Sequence, residues 1–309
     1  MFSRKKPAWR PAPAGTSLVK LVRDEVATCV DPFGAQLVNL QLAGTKYRWQ
    51  GDSRWWARRA PVLFPIVGAL GGATASAAGP VSLGRHELAR DMPYRVVDLT
   101  ATSATFELAS SPETMTRYPF EFSLRTSYAL VGPATIEQRF AVGSTGDVPL
   151  PYVVGGHPAF NVPLPGTSEE DFGDWRLEFA QPWTADVPTI VEGGLLDFAQ
   201  PVRMLGDMVE LELAHELIET RDTLVFHNVP GRAVALVGAL SCHGVRLTFD
   251  GFDYLGVWSA AGNAPFVAVE PWTGCATALD EGASFEAKRR MRLLDPGKTD
   301  VRAFTIELF

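Results

Sequence analysis

An all-β fold, a large antiparallel β-sandwich with few short helices, is predicted for this chain by three observations. Runs of alternating apolar and polar residues recur along it, turn-forming dipeptides separate them, and helical periodicity is scarce. Alternation over about six to eight residues marks strands with one face buried. Ala27–Val30 ends at Asp31-Pro32-Phe33-Gly34, and Gln36–Gln41 begins a second short run. Ser103–Leu108 and Glu121–Tyr128 alternate cleanly, Thr135–Val142 less so. Gly-Pro, Asp-Pro, Pro-Gly and Ser-Pro pairs punctuate such runs at intervals suited to an antiparallel meander. The best helical pattern is Met208–Leu217, which would leave Glu210, His215 and Glu216 largely solvated. Ala69–Gly79 is rich in small residues, and a flexible loop is its default reading. No Gly/Ser linker divides the chain, so residues 17–309 are expected to form one domain behind a mobile basic tail, residues 1–16.

Charge and cysteine usage narrow the function classes. Among 309 residues, 28 Lys and Arg stand against 35 Asp and Glu, a formal net charge of −7. Such a chain is a poor partner for nucleic acid, where affinity comes from neutralising phosphates, and for an anionic membrane surface. A neutral small molecule is the expected partner; the balance does not fix the oligomeric state. No stretch approaches the roughly 18 apolar residues of a membrane span, and no apolar core follows the basic N-terminus as in a secretory signal. A cytoplasmic location is expected. Cys29, Cys242 and Cys275 are odd in number and widely spaced, which favours reduced thiols over a disulfide framework or a zinc site.

Five histidines are present, so each can be weighed. His157 lies in Tyr152-Val153-Val154-Gly155-Gly156-His157-Pro158-Ala159-Phe160-Asn161. Pro158 holds it extended, and the glycines before it permit close backbone approach. That presents an imidazole at a strand end, facing a pocket or hydrogen-bonded within a turn. Glu270 closes the apolar run Pro265–Val269. Desolvation there would raise its pKa and make it a stronger base; an exposed strand end is the alternative. Trp258 and Trp272 offer flat faces of the kind that stack on sugar rings, although core packing explains tryptophans equally well. His86, Arg90, Arg58 and Arg59 read individually as surface charge. His215, His227 and His243 lack metal-ligand spacing and read as structural or surface residues. No G-x-G-x-x-G, P-loop or G-x-S-x-G occurs.

Several segments, in one order, resemble the aldose 1-epimerases (galactose mutarotase-like proteins), and more closely the branch that includes LacX-type proteins. They are Trp49-Gln50-Gly51-Asp52 with Trp56, Arg59 through Gly68, His86 through Tyr94, Gly156 through Asn161, Tyr254 through Ser259, and Val269 through Gly274. The resemblance covers roughly residues 17–309 and implies the galactose mutarotase-like supersandwich and interconversion of the α and β anomers of a free sugar. It implies Glu270 as general base, His157 as general acid, and His86, Arg59, Asp222 and Trp258 around the substrate, with no metal or cofactor. Where this branch usually reads His-Gly-Phe-Ala-Arg-Asp, the chain has His86-Glu87-Leu88-Ala89-Arg90-Asp91. Glu87 is thus expected as an added carboxylate beside the pocket, able to alter sugar preference and to repel a phosphosugar. Arg59, His86 and Arg90 pull the other way, and the sugar stays open. An acid and a base needed in opposite protonation states predict a bell-shaped rate against pH. A non-catalytic sugar-binding protein and a hexose-6-phosphate mutarotase are the alternatives. A glycoside hydrolase is less favoured, since that chemistry usually needs two carboxylates flanking one bond.

Overall fold

Strand-forming alternation translates into two large antiparallel sheets facing each other across an apolar core. The computed structural model describes residues 17–166 and 169–309; the tail expected at 1–16 lies outside the described residues. The larger sheet has nine strands, in the order Leu195–Glu212, Trp175–Val191, Ala233–Gly238, Gly244–Thr248, Thr299–Leu308, Thr135–Ser144, Phe122–Leu130, Ser103–Ala109 and Arg95–Leu99. In Phe122–Leu130 every second residue is buried, so Phe122, Leu124, Thr126, Tyr128 and Leu130 point inward. The second sheet has six strands: Thr223–His227, Tyr254–Trp258, Phe266–Trp272, Gly155–Gly156 and Val62–Leu63 in order, with Ala159–Asn161 also paired to Phe266–Trp272. Leu255, Val257, Val267 and Val269 from this sheet meet Leu124, Phe140, Phe304 and Ile306 from the other in one buried cluster. Each such side chain, fully buried, contributes about 1.5–3 kcal/mol.

Phe266–Trp272 is buried at all seven positions, because both of its faces are covered. Val267 and Val269 enter the main core. Phe266 and Ala268 face the other way, into a satellite cluster with Trp49, flanked by Trp55, Trp56 and Trp258. Glu270 and Trp272 continue that second face. The strand reads as a continuous apolar run for this reason, and its one carboxylate is delivered to the end of the outer face.

Two local expectations are corrected. Met208–Leu217 is not one helix: residues up to Glu212 belong to the strand Leu195–Glu212, and the helix runs only over His215–Arg221. Pairing Arg176↔Glu212 and Glu178↔Glu210, with Arg176 Nε 3.4 Å from Glu210 Oε1, rewards the extended form. Glu210 and Glu216 are exposed as expected, whereas His215 is half-buried and stacks on Phe172 at 3.7 Å between centroids. Ala69–Gly79 is not a plain loop either. Thr74–Ser76 pairs with Gly79–Val81, and the Ala75 amide donates to Ala283 O at 3.0 Å. The three cysteines are free, with Cys242 exposed. No helix among the described residues is long and apolar enough to cross a membrane.

Candidate active site

Glu270 and His157 reach one point from adjacent parts of the six-stranded sheet. Glu270 sits opposite Gly256 in the strand register. His157 follows Gly155–Gly156, which pairs with both Phe266–Trp272 and Val62–Leu63. The chain is then tied back: the Val269 amide donates to Pro158 O at 2.9 Å and the Ala159 amide to Arg59 O at 3.1 Å. His157 Nε2 lies 3.3 Å from Glu270 Oε2, with the side chains 7% and 1% exposed. The contact is not aligned as a hydrogen bond, which leaves Glu270 Oε2 buried without a protein partner; His157 Nδ1, across the ring from the contact, is also unpaired. Buried polar atoms of native proteins are nearly always satisfied, so the unpaired Glu270 oxygen makes this pair a candidate for contact with a polar ligand.

The cavity is about 150 Å³ and is lined by Trp56, Arg85, His86, Arg90, His157, Thr223, Trp258, Glu270 and Trp272. At about 10–15 Å³ per water-sized group it holds about ten to fifteen heavy atoms, the size of one hexose. Three tryptophans wall it. Trp56 stacks on the His157 ring at 4.8 Å and 27°, and Trp258 meets that ring edge-on at 5.6 Å. Trp272 lies across its sheet because two neighbours lack side chains. A Cβ on Gly155 would come within 2.7 Å of Trp272 Cδ1, and one on Gly256 would overlap Cη2 and Cζ2.

A buried arginine fixes the frame. Arg48 is fully buried without a carboxylate, and donates to Leu37 O at 3.1 Å, Ala159 O at 2.9 Å and Arg59 O at 2.5 Å. Burial lowers its pKa to about 9. Asn161 Nδ2 donates to Lys46 O and Arg48 O, both at 2.9 Å. The strand following His157 is thereby pinned to the N-terminal part of the chain.

His86 completes the floor. The Gly68 amide donates to His86 Nδ1 at 3.1 Å, while the His86 amide donates to Gly68 O at 2.9 Å. An imidazole that accepts at Nδ1 carries its proton on Nε2, and burial together with His157 and Arg90 holds its pKa well below the usual value. Its ring lies 5.6 Å from that of His157. Burial also governs the central pair. It pushes Glu270 well above the carboxylate range, aided by Asp222 and opposed by the Trp272 indole. It pushes His157 down to about 3. Burial thus opposes charge on either group.

The other expected residues divide. Trp258 and His86 line the cavity, and so does Arg90, whose Nε is 3.3 Å from Asp91 Oδ2. Arg59 does not: its Nε donates to Gln50 O at 2.8 Å, outside the lining. Asp222 stands at the rim, with Oδ2 3.9 Å from Arg85 Nη1, and the next residue, Thr223, faces the cavity in its place. Asp222 ends the helix His215–Arg221 with φ +63°, and the strand that faces the cavity begins only at Thr223. Glu87 is turned away from the cavity, bonded to Arg117 and to the Gly84 amide at 2.6 Å, so it adds no free carboxylate to the site. Leu88 is buried in the main core. Arg85 and Thr223 were not singled out by sequence; the adjacency of Arg85 to His86 and of Thr223 to Asp222 was the available signal.

Comparison with known proteins gives the family and the fold. The aldose 1-epimerase family model matches residues 18–292, and the chain belongs to that family. The plasmid and chromosomal LacX proteins of Lactococcus lactis subsp. lactis are each 30% identical over 298 residues, covering 94% of this chain and 99% of theirs. A galactose mutarotase related enzyme from Lactobacillus acidophilus superposes with a TM-score of 0.87 at 27% identity, covering 95% of this chain and 97% of that one. A galactose mutarotase-like protein from Lactobacillus casei ATCC 334 shares the fold with a TM-score of 0.85 at 24% identity, covering 95% and 100%.

Proposed function

We propose that the chain is an aldose 1-epimerase that interconverts the α and β anomers of a free aldose, with Glu270 and His157 as its acid–base pair. The observation that carries this reading is the buried 3.3 Å contact between the two side chains beneath a hexose-sized cavity. Opening a hemiacetal takes a proton from the anomeric hydroxyl and delivers one to the ring oxygen on the same carbon. Two groups sharing one proton are suited to that exchange. Movement of the proton from Glu270 to His157 gives a carboxylate beside an imidazolium without changing the proton count. Glu270 then accepts the anomeric proton while His157 donates to the ring oxygen. The aldehyde rotates about C1–C2 and recloses on its other face with the roles reversed. Two such groups typically contribute about 10²–10⁴-fold each. Trp56, Trp258 and Trp272 supply the apolar walls, and Arg90, His86 and Thr223 are the donors for hydroxyls.

Polarimetry on freshly dissolved α-anomers tests the proposal. A panel of free and 6-phosphorylated aldoses should show acceleration over the spontaneous rate with at least one free sugar. Acceleration confined to phosphorylated sugars would favour an anion site built on Arg85 and Arg90. Binding of sugar with no acceleration of any of them would make the protein a non-catalytic sugar binder and overturn the assignment.

A further inference from the structure

Beyond Arg85 and Trp272 the cleft has a side chamber of about 30 Å³. Ile190, Leu196, Val225 and Ala276 form its inner wall, with the indole of Trp272 between it and the cleft. Arg85, His86, Thr223 and Trp272 line both spaces, so the chamber adjoins the site. Its outer wall is held in place. The Leu196 amide donates to Thr277 O at 3.0 Å and the Leu279 amide to Leu196 O at 2.9 Å, which fastens the tip of the long hairpin to the segment after Trp272. Gly194, with φ +78°, lets the hairpin tip pass against the Arg85 guanidinium, where a Cβ would collide.

An unsubstituted hexose has nothing suited to this chamber. Its hydroxyls would enter an apolar space without partners, which opposes binding. At about 10–15 Å³ per water-sized group, the chamber takes about two to three heavy atoms, which matches an acetyl group and excludes longer acyl chains. His86, on the shared wall, lies 5.6 Å from His157, and Trp272 is two residues from Glu270 on the same strand face. The opening is therefore on the Glu270–His157 side of the cleft; of the two ring atoms bonded to C1, C2 carries a substituent that can enter it and the ring oxygen carries none. The Arg85 guanidinium and the Thr223 hydroxyl stand on the shared wall, where the amide of a 2-acetamido group would pass.

We infer that the side chamber seats the acetyl group of a 2-acetamido-2-deoxy aldose, so that N-acetylated hexosamines are the preferred substrate class. The inference rests on the mutarotase reading for its catalytic consequence, but its binding consequence is independent of that reading. The experiment compares N-acetylglucosamine and N-acetylgalactosamine with glucose and galactose, by polarimetric kcat/KM and by calorimetric Kd. The expected result is a preference of about tenfold or more for an acetamido sugar over its parent, the effect of filling a small apolar pocket. Ile190→Phe, at a half-buried position where a larger ring extends into the chamber, should reduce that ratio toward one. Equal or weaker binding and turnover of both acetamido sugars by the native protein overturns the inference, and so does a preference that Ile190→Phe leaves in place. If no sugar is turned over, the catalytic reading fails while the calorimetric ratio still decides the chamber. The native comparison decides it even if the variant does not fold.

Discussion

Replacing Glu270 by glutamine keeps the shape of the cavity floor and removes the proton that the pair exchanges. The amide can still meet His157 across the 3.3 Å contact, so little repacking is required. Loss of one acid–base partner should lower kcat by about 10²–10⁴-fold, or about 2.7–5.4 kcal/mol of transition-state stabilisation. Stability should move the opposite way. Burial raises the folded Glu270 pKa, so between its unfolded and folded values the native state holds a proton that the unfolded chain releases. Native stability from this group is thus lost as pH rises through that window. Glutamine escapes the penalty. Each pH unit by which the folded carboxyl exceeds its free value is worth about 1.4 kcal/mol to the variant at neutral pH, a gain that fades toward pH 4. Polarimetry, with the spontaneous rate subtracted, measures the first effect; thermal unfolding at pH 7 and pH 4 measures the second. A variant that keeps native rates refutes the catalytic role. One that is less stable than the native protein at pH 7 refutes the buried neutral carboxyl.

The proton count of the pair also sets the pH dependence of kcat/KM. As pH falls through about 3, His157 takes a second proton and the site loses its base. As pH rises through the raised Glu270 value, the pair loses its only proton and the site loses its acid. The bell expected from sequence is therefore displaced on its acid side, and a limb near 6.5, the ordinary histidine value, would place the resting proton on His157 instead. Gly256→Ala puts a methyl group where Trp272 lies. Overpacking of that kind costs about 1–3 kcal/mol, and displacement of the indole should raise KM more than it lowers kcat. Unfolding curves and sugar titrations of the variant check both effects.

The fold class was legible because several strands, Val26–Asp31, Ser103–Ala109, Phe122–Leu130 and Thr135–Ser144 among them, carry period-two alternation. Met208–Glu212 misled because an edge strand packs on one side only, and its glutamates gain partners from Arg176, which sequence proximity does not reveal. In the site, His157 and Glu270 were legible through their backbone contexts, a Gly-Gly approach and a carboxylate ending an apolar run. Arg59 opens a matched segment and Arg85 only precedes one, so the sequence reading favoured Arg59. What divides them is a three-dimensional detail, the carbonyl of Gln50 that captures the Arg59 guanidinium. Glu87 looked like a change in the pocket and proved to be a partner for Arg117.

The strand bearing Glu270 is interior to its sheet, hydrogen-bonded to Tyr254–Trp258 along one edge and to Gly155–Gly156 and Ala159–Asn161 along the other. Its carboxylate moves only if the whole sandwich moves. Trp56, Arg85, His86 and Arg90 instead come from connecting segments outside any extended strand. Glu270 and the cavity walls Trp258 and Trp272 are thus carried by strands, whereas His157, like those four, is carried by the segments that connect them. Substitutions at Trp56, Arg85 or Arg90 change the cavity wall without touching the strand that bears Glu270, so a redesign for another aldose should begin there and leave the interior strand alone.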